Sequence, residues 1–304
     1  MTAPLLIPLP GNEPLVTGLA KILGAEVGGV AIRRFPDGET YLRYQAPVSG
    51  RLLILACTLD RPDDKFLALV FAAAAARDLG VTQVGLVCPY LAYMRQDRRF
   101  QPGEAVTSSY FAKLLSSHID WLVTVDPHLH RRASLAEIYS IPTQVMHAAP
   151  LISEWIRKEV SRPLLIGPDS ESEQWVTAVA RDAGAPHVVL QKVRHGDRHV
   201  EVSVPDVARW RDHTPVLVDD IVSTARTMIE TIGHLKRESM RPPVCVAVHG
   251  IFAGNAYDDL LAAGAGRVVT TGTVPHVTNA IDTTALLAQG VQAVAAEPAV
   301  DRPR

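Results

Sequence analysis

The chain has 304 residues, room for two domains of ordinary size, and a formal charge of −2. A hydrophobic content of 47% and a charged content of 20% describe a globular protein, and the lack of a basic surplus or like-charge block excludes the usual signatures of nucleic-acid and membrane partners. Three separated cysteines, Cys57, Cys88 and Cys245, lie in or beside apolar runs. They form neither a disulfide framework nor a zinc set, so they are expected to be buried thiols in a reducing cytoplasm.

Segment 1–11 holds three prolines and no basic region, so no signal peptide is expected there. The longest apolar run, 66–76, has eleven residues, too few to span a bilayer. Apolar runs at 52–56, 84–88, 121–125, 164–166, 188–190, 216–218, 244–248 and 267–271 read as strands. Helical patterns at 63–79, 107–116, 149–160, 172–183, 227–237 and 256–263 alternate with them. Such alternation predicts an α/β fold of mainly parallel sheets flanked by helices. A boundary near 146–150, after the turn-like Ile141-Pro142-Thr143, divides the chain into domains 1–147 and 148–292 with no visible sequence repeat. The aperiodic tail 293–304 is expected to be disordered.

Several strand ends carry chemistry. Phe35-Pro36-Asp37-Gly38-Glu39 reads as a turn. After the strand at 84–88, Arg95, Arg98 and Arg99 surround the lone acid Asp97, which fits either a polyanion surface or a solvated basic loop. Asp126-Pro127-His128 ends the strand at 121–125, on the sheet edge where open α/β folds bind ligands; His128 is there either a structural residue or a ligand for metal or phosphate. In Gly167-Pro168-Asp169-Ser170-Glu171-Ser172, either serine makes a natural helix N-cap. Lys192 and Arg194 leave a strand with i, i+2 spacing, which aims both to one side; they form either a solvated basic edge or a pair of cations that stabilises a transferring phosphoryl group. Finally, Val216-Leu217-Val218-Asp219-Asp220-Ile221-Val222-Ser223-Thr224-Ala225-Arg226-Thr227 passes from an apolar strand through two acids and a hydroxyl-rich loop into an amphipathic helix. A loop feeding a helix N-terminus presents backbone donors to an anion, and the acids before it can hold a cation or sugar hydroxyls.

Taken in order, these stretches resemble the ribose-phosphate pyrophosphokinases, which use the type I phosphoribosyltransferase fold twice. The family carries Phe-x-Asp-Gly-Glu, matched from Phe35 to Glu39, and Pro-Tyr-x-x-Tyr-x-Arg-Gln-Asp-Arg, matched at every fixed position from Pro89 to Arg98. It carries Asp-Leu-His where this chain has Asp126-Pro127-His128, and Lys-x-Arg at Lys192 and Arg194. Its sugar-phosphate loop has Asp-Asp, three residues, then Thr-Gly-Gly-Thr; here Ala225 and Arg226 replace the glycines. A second glycine pair is missing after Asp169. The resemblance implies transfer of the diphosphoryl group of ATP to C1 of ribose 5-phosphate, with Mg²⁺. It assigns Phe35, Asp37, Glu39, Arg95, Gln96 and His128 to ATP, with Phe35 stacking on adenine and His128 supporting the metal. It assigns Asp169, Asp219, Asp220, Ser223, Thr224, Ala225, Arg226 and Thr227 to ribose 5-phosphate, the two adjacent acids also to metal, and Lys192 and Arg194 to catalysis. It further implies a homo-oligomer whose ATP site is shared between subunits. The alternatives are a non-catalytic, nucleotide-binding relative and a phosphoribosyltransferase.

Overall fold

The computed structural model describes residues 3–167, 173–195, 199–203 and 207–295. They form two compact units: one runs to Met146 and resumes at Thr284, the other is His147–Thr283.

In the first unit, β1 (Leu5–Pro8) leads to α1 (Glu13–Leu23) and the short β2 (Glu26–Val27). Pro14 suits the first turn of α1, where an N–H would lack a partner, and Gly24 closes it in the left-handed conformation at φ 61°. An antiparallel hairpin of β3 (Val30–Arg34) and β4 (Thr40–Tyr44) follows. Then come β5 (Leu52–Ala56), α2 (Pro62–Asp78), β6 (Gln83–Cys88), α3 (Thr107–Ser116), β7 (Trp121–Val125) and β8 (Thr143–Met146). The hairpin apart, the strands form one sheet in the order β2-β1-β5-β6-β7-β8, and every pairing is parallel. Its central strands are apolar because helices cover both faces: Leu53, Ile54, Leu55, Leu86, Leu122 and Val123 are fully buried. Each such side chain contributes about 1.5–3 kcal/mol. Gly85 pairs with Trp121, and a Cβ on Gly85 would lie 2.0 Å from the indole, so only glycine lets the tryptophan cross the neighbouring strand.

The second unit repeats this plan without a readable sequence repeat. After α4 (Ala149–Glu159) come β9 (Pro163–Gly167), α5 (Glu173–Ala183) and β10 (His187–Val189). A second antiparallel hairpin, β11 (Gln191–His195) and β12 (His199–Ser203), occupies the place that β3 and β4 hold in the first unit. The chain continues through β13 (Thr214–Val222), α6 (Arg226–Arg237), β14 (Val244–Gly250), α7 (Ala256–Ala263), β15 (Arg267–Thr271) and β16 (Asn279–Ile281). The sheet order β10-β9-β13-β14-β15-β16 has the same topology as the first, again with parallel pairings. Leu164, Ile166, Leu217 and Cys245 of the sheet pack with Met228, Ile232 and Leu235 of α6 and Leu260 of α7.

The last helix, α8 (Thr284–Ala295), belongs to the first unit, where Val123 and Met146 crowd against its Gly290. The second unit therefore ends at Thr283, whereas the sequence reading carried its domain to 292. Residues 293–295 of the expected disordered tail close this helix, and 296–304 lie outside the described residues. Among the described residues, no helix is long and apolar enough to cross a membrane.

Candidate active site

In the first unit, the Phe35 stretch is the tip of the β3–β4 hairpin. The N–H of Phe35 donates to the carbonyl of Glu39 (2.8 Å) and that of Gly38 to the carbonyl of Phe35 (2.9 Å), with Gly38 at φ 94°. This tight closure needs glycine at the left-handed position. It leaves Phe35 40% exposed, with Asp37 and Glu39 also open to solvent. The Arg33 guanidinium lies 4.6 Å from the Phe35 ring centre and 4.2 Å from that of Tyr41, which stiffens the exposed aromatic.

The arginine-rich loop is anchored rather than loose. Asp97, its side chain only 3% exposed, pairs with Arg131 at 3.4 Å. Arg132 donates to the Asp97 carbonyl (3.2 Å) and to the Ser108 and Ser109 hydroxyls. Glu104 accepts from the N–H groups of Phe100 (2.6 Å) and Gln101 (3.0 Å). The Gln96 side-chain oxygen accepts from the Thr107 hydroxyl at 3.0 Å. Arg95 is exposed and has no partner among the described residues, while Arg98 stacks on Phe100 at 4.9 Å. Asp97 is thus the counter-charge that holds the loop, and Arg95 and Gln96 are the groups it offers. His128 follows β7, after Asp126 at φ 33°, and its ring lies 3.9 Å from that of His130. His130 lies two residues on, and only the fold shows that the two imidazoles are neighbours.

In the second unit, the acidic stretch departs from the sequence expectation. β13 runs to Val222 instead of ending before the acids, because pairing with β14 continues through Asp219↔Ala247, Ile221↔His249 and Val222↔Gly250. Oδ1 of Asp219 accepts from the N–H of Asp220 (2.9 Å), and Oδ1 of Asp220 from that of Ile221 (2.7 Å), which fixes both carboxylates at the end of the strand. α6 starts at Arg226, one residue earlier than expected, with Ala225 in the left-handed conformation at φ 56° and no side-chain cap. No backbone N–H from Ser223 to Thr227 has an acceptor among the described residues. Five consecutive unmatched donors, bent through a left-handed residue into a helix N-terminus, form a nest for an anion. Arg226 itself is exposed, and the first turn of α6 contains no acid.

Lys192 and Arg194 both lie on β11, in register with Val202 and Val200 of β12. They therefore sit on a two-stranded hairpin outside the six-stranded sheet. Asp169 lies outside the described residues. Ser223, Thr224, Ala225, Arg226 and Thr227 are brought together with Asp219 and Asp220, and Arg95 with Gln96, each set within its own unit.

Residues 5–118 match the N-terminal domain of ribose phosphate pyrophosphokinase, and residues 134–282 match the phosphoribosyl transferase domain. The ribose-phosphate pyrophosphokinase of Methanopyrus kandleri is 31% identical over 276 residues, covering 90% of this chain and 94% of its own. That of Halobacterium salinarum is 33% identical over 267 residues, covering 86% and 92%. The crystal structure of phosphoribosylpyrophosphate synthetase from Mycobacterium smegmatis has the same fold, with a TM-score of 0.84 at 22% identity over 96% of this chain and 99% of that one. With two units of like topology, the nest of Ser223–Thr227 and relatives that match almost end to end, the chain belongs to the ribose-phosphate pyrophosphokinase family.

Proposed function

We propose that the protein transfers the diphosphoryl group of ATP to the C1 hydroxyl of ribose 5-phosphate, releasing AMP and phosphoribosyl diphosphate. The observation that carries this reading is the set of N–H donors from Ser223 to Thr227 without an acceptor among the described residues, directly after two oriented carboxylates. A 5-phosphate fits the donors, and ribose hydroxyls fit Asp219 and Asp220. The hydroxyls of Ser223, Thr224 and Thr227 add donors, and Arg226 adds charge.

Arg95 and Gln96 take the polyphosphate of ATP; the firm anchoring of their loop supports this role. Phe35 offers a face to adenine, and Asp37 and Glu39 accept from its exocyclic amine. Lys192 and Arg194 stabilise charge on the group in transfer, so no covalent protein nucleophile is required. Mg²⁺ suits the carboxylate donors of Asp219 and Asp220, with His128 on the nucleotide side; when bound it neutralises charge on the phosphate oxygens. A homo-oligomer is supported by apolar side chains left open on the first unit: Leu67 and Phe71 one turn apart on α2, and Tyr110 and Leu114 on α3. Three buried free thiols support a reducing cytoplasm.

Titration with ribose 5-phosphate tests the loop. Thr227→Val should weaken ribose 5-phosphate binding and leave ATP binding unchanged. Equal affinity of variant and wild type for the sugar phosphate would count against the assignment.

A further inference from the structure

Beyond the loop that meets the sugar phosphate, the second unit contains a strained segment that holds this loop from behind. β14 ends at Gly250, yet the next three N–H groups still bond to the loop strand. Ile251 and Phe252 both donate to the Val222 carbonyl at 3.0 Å, and Ala253 donates to the Ser223 carbonyl at 3.0 Å. Two donors converge on one oxygen because the chain turns sharply at Phe252, which has φ 43°. An aromatic residue rarely adopts this left-handed conformation, so its surroundings must hold it there. They do so through its ring. The His276 ring lies 4.5 Å from it, Tyr257 meets it edge-on at 5.7 Å, and Tyr257 and His276 are themselves 5.1 Å apart. Beneath it, Gly250 provides the space: a Cβ there would lie 2.6 Å from the Phe252 ring and 2.8 Å from the Thr270 methyl.

The consequence for the loop follows from peptide geometry. In a planar trans peptide the C=O and N–H point in opposite directions. With the carbonyls of Val222 and Ser223 committed to residues 251–253, the N–H groups of Ser223 and Thr224 must point away from that segment. Those are the first two donors of the anion nest. We infer that Phe252, held by His276 and Tyr257, is a positioning residue for ribose 5-phosphate: its docked ring keeps residues 251–253 bonded to Val222 and Ser223 and so aims the Ser223 and Thr224 N–H groups at the 5-phosphate. This rests on the proposed role of the loop.

The test is steady-state kinetics on Phe252→Ala and Phe252→Tyr, with Thr227→Val beside them and a melting curve for each. Disordering two aimed donors should raise the KM for ribose 5-phosphate about tenfold in Phe252→Ala. The KM for ATP and kcat should stay close to wild type, and Phe252→Tyr, which keeps the ring, should behave as wild type. An unchanged sugar-phosphate KM in a folded Phe252→Ala protein, with Thr227→Val still impaired, overturns the positioning role and leaves the loop assignment standing. If neither variant raises that KM, the loop assignment falls with it. A parallel rise in both KM values with a fall in kcat means a merely structural role and also overturns the inference. Should Phe252→Ala not fold, His276→Ala removes only one wall of the ring's seat. It should still raise the sugar-phosphate KM selectively, and no change would refute the proposal.

Discussion

Replacing Arg226 by glutamine should move stability and ligand affinity in opposite directions. Arg226 is the first residue of α6, exposed, with no partner among the described residues. A helix N-terminus carries partial positive charge, so a guanidinium there opposes the dipole, and α6 offsets this with neither a first-turn acid nor a side-chain cap. Removing the charge should stabilise the ligand-free protein by about 0.3–1 kcal/mol, a rise in melting temperature of roughly 1–3 °C. With ribose 5-phosphate bound, the sign reverses. A solvent-screened guanidinium–phosphate hydrogen bond is worth about 1–2 kcal/mol, so the variant should bind some five- to thirty-fold more weakly. Calorimetric titration with ribose 5-phosphate and differential scanning of the ligand-free protein give both values. The affinity gap should shrink as salt is added, because the site is exposed. Unchanged affinity would remove Arg226 from the phosphate site, and a lowered melting temperature without ligand would mean that its charge does not oppose the helix dipole.

Ala225→Gly removes a left-handed alanine that costs about 1–2 kcal/mol, but adds about 0.5–1 kcal/mol of glycine entropy to the unfolded chain and loses the burial of one core methyl, about 0.8 kcal/mol. Chemical denaturation should therefore show the variant within about 1 kcal/mol of wild type; a loss well beyond that would mean the loop is not strained. Phe35→Ala should raise the KM for ATP while leaving that for ribose 5-phosphate unaffected, measured by initial rates, and identical ATP saturation would place adenine elsewhere. Burial lowers the pKa of His276 below its ordinary 6.5, so folding favours its neutral form. The unfolded chain then binds the proton first: this contribution to stability is complete above about pH 6.5 and is lost as pH falls toward the lowered value. The urea midpoint of wild type should fall more steeply with acid than that of His276→Gln, and parallel curves would contradict the assignment.

Much of the sheet was legible because its strands are buried on both faces. The runs 52–56, 121–125 and 267–271 are apolar enough to mark β5, β7 and β15 with their observed ends. The helix periods located α3 and α7 equally well. What the sequence concealed depends on contacts distant in the chain. β13 reaches Val222 because β14 continues to pair with it, not because Asp219 and Asp220 favour a strand. α8 is a plain apolar helix, and only its packing returns it to the first unit. Both hairpins mix polar and apolar residues, and β1 and β2 are four and two residues long, too short for a clear period. In the candidate site, residue types and spacing singled out Asp219, Asp220 and the hydroxyl loop, which the fold places on β13 and at the start of α6. The left-handed Ala225, the anchoring of Asp97 and the Phe252 clamp are properties of backbone geometry and of partners from other elements, so no local pattern announces them.

A phosphorus NMR time course of the purified protein with ATP, Mg²⁺ and ribose 5-phosphate, run beside Lys192→Ala, reads the reaction directly. AMP and phosphoribosyl diphosphate should grow together in the wild type, with a rate lower by at least about a hundredfold in a folded Lys192→Ala protein. Formation of ADP, or no turnover by a folded wild-type protein that binds nucleotide, would contradict the proposed transfer.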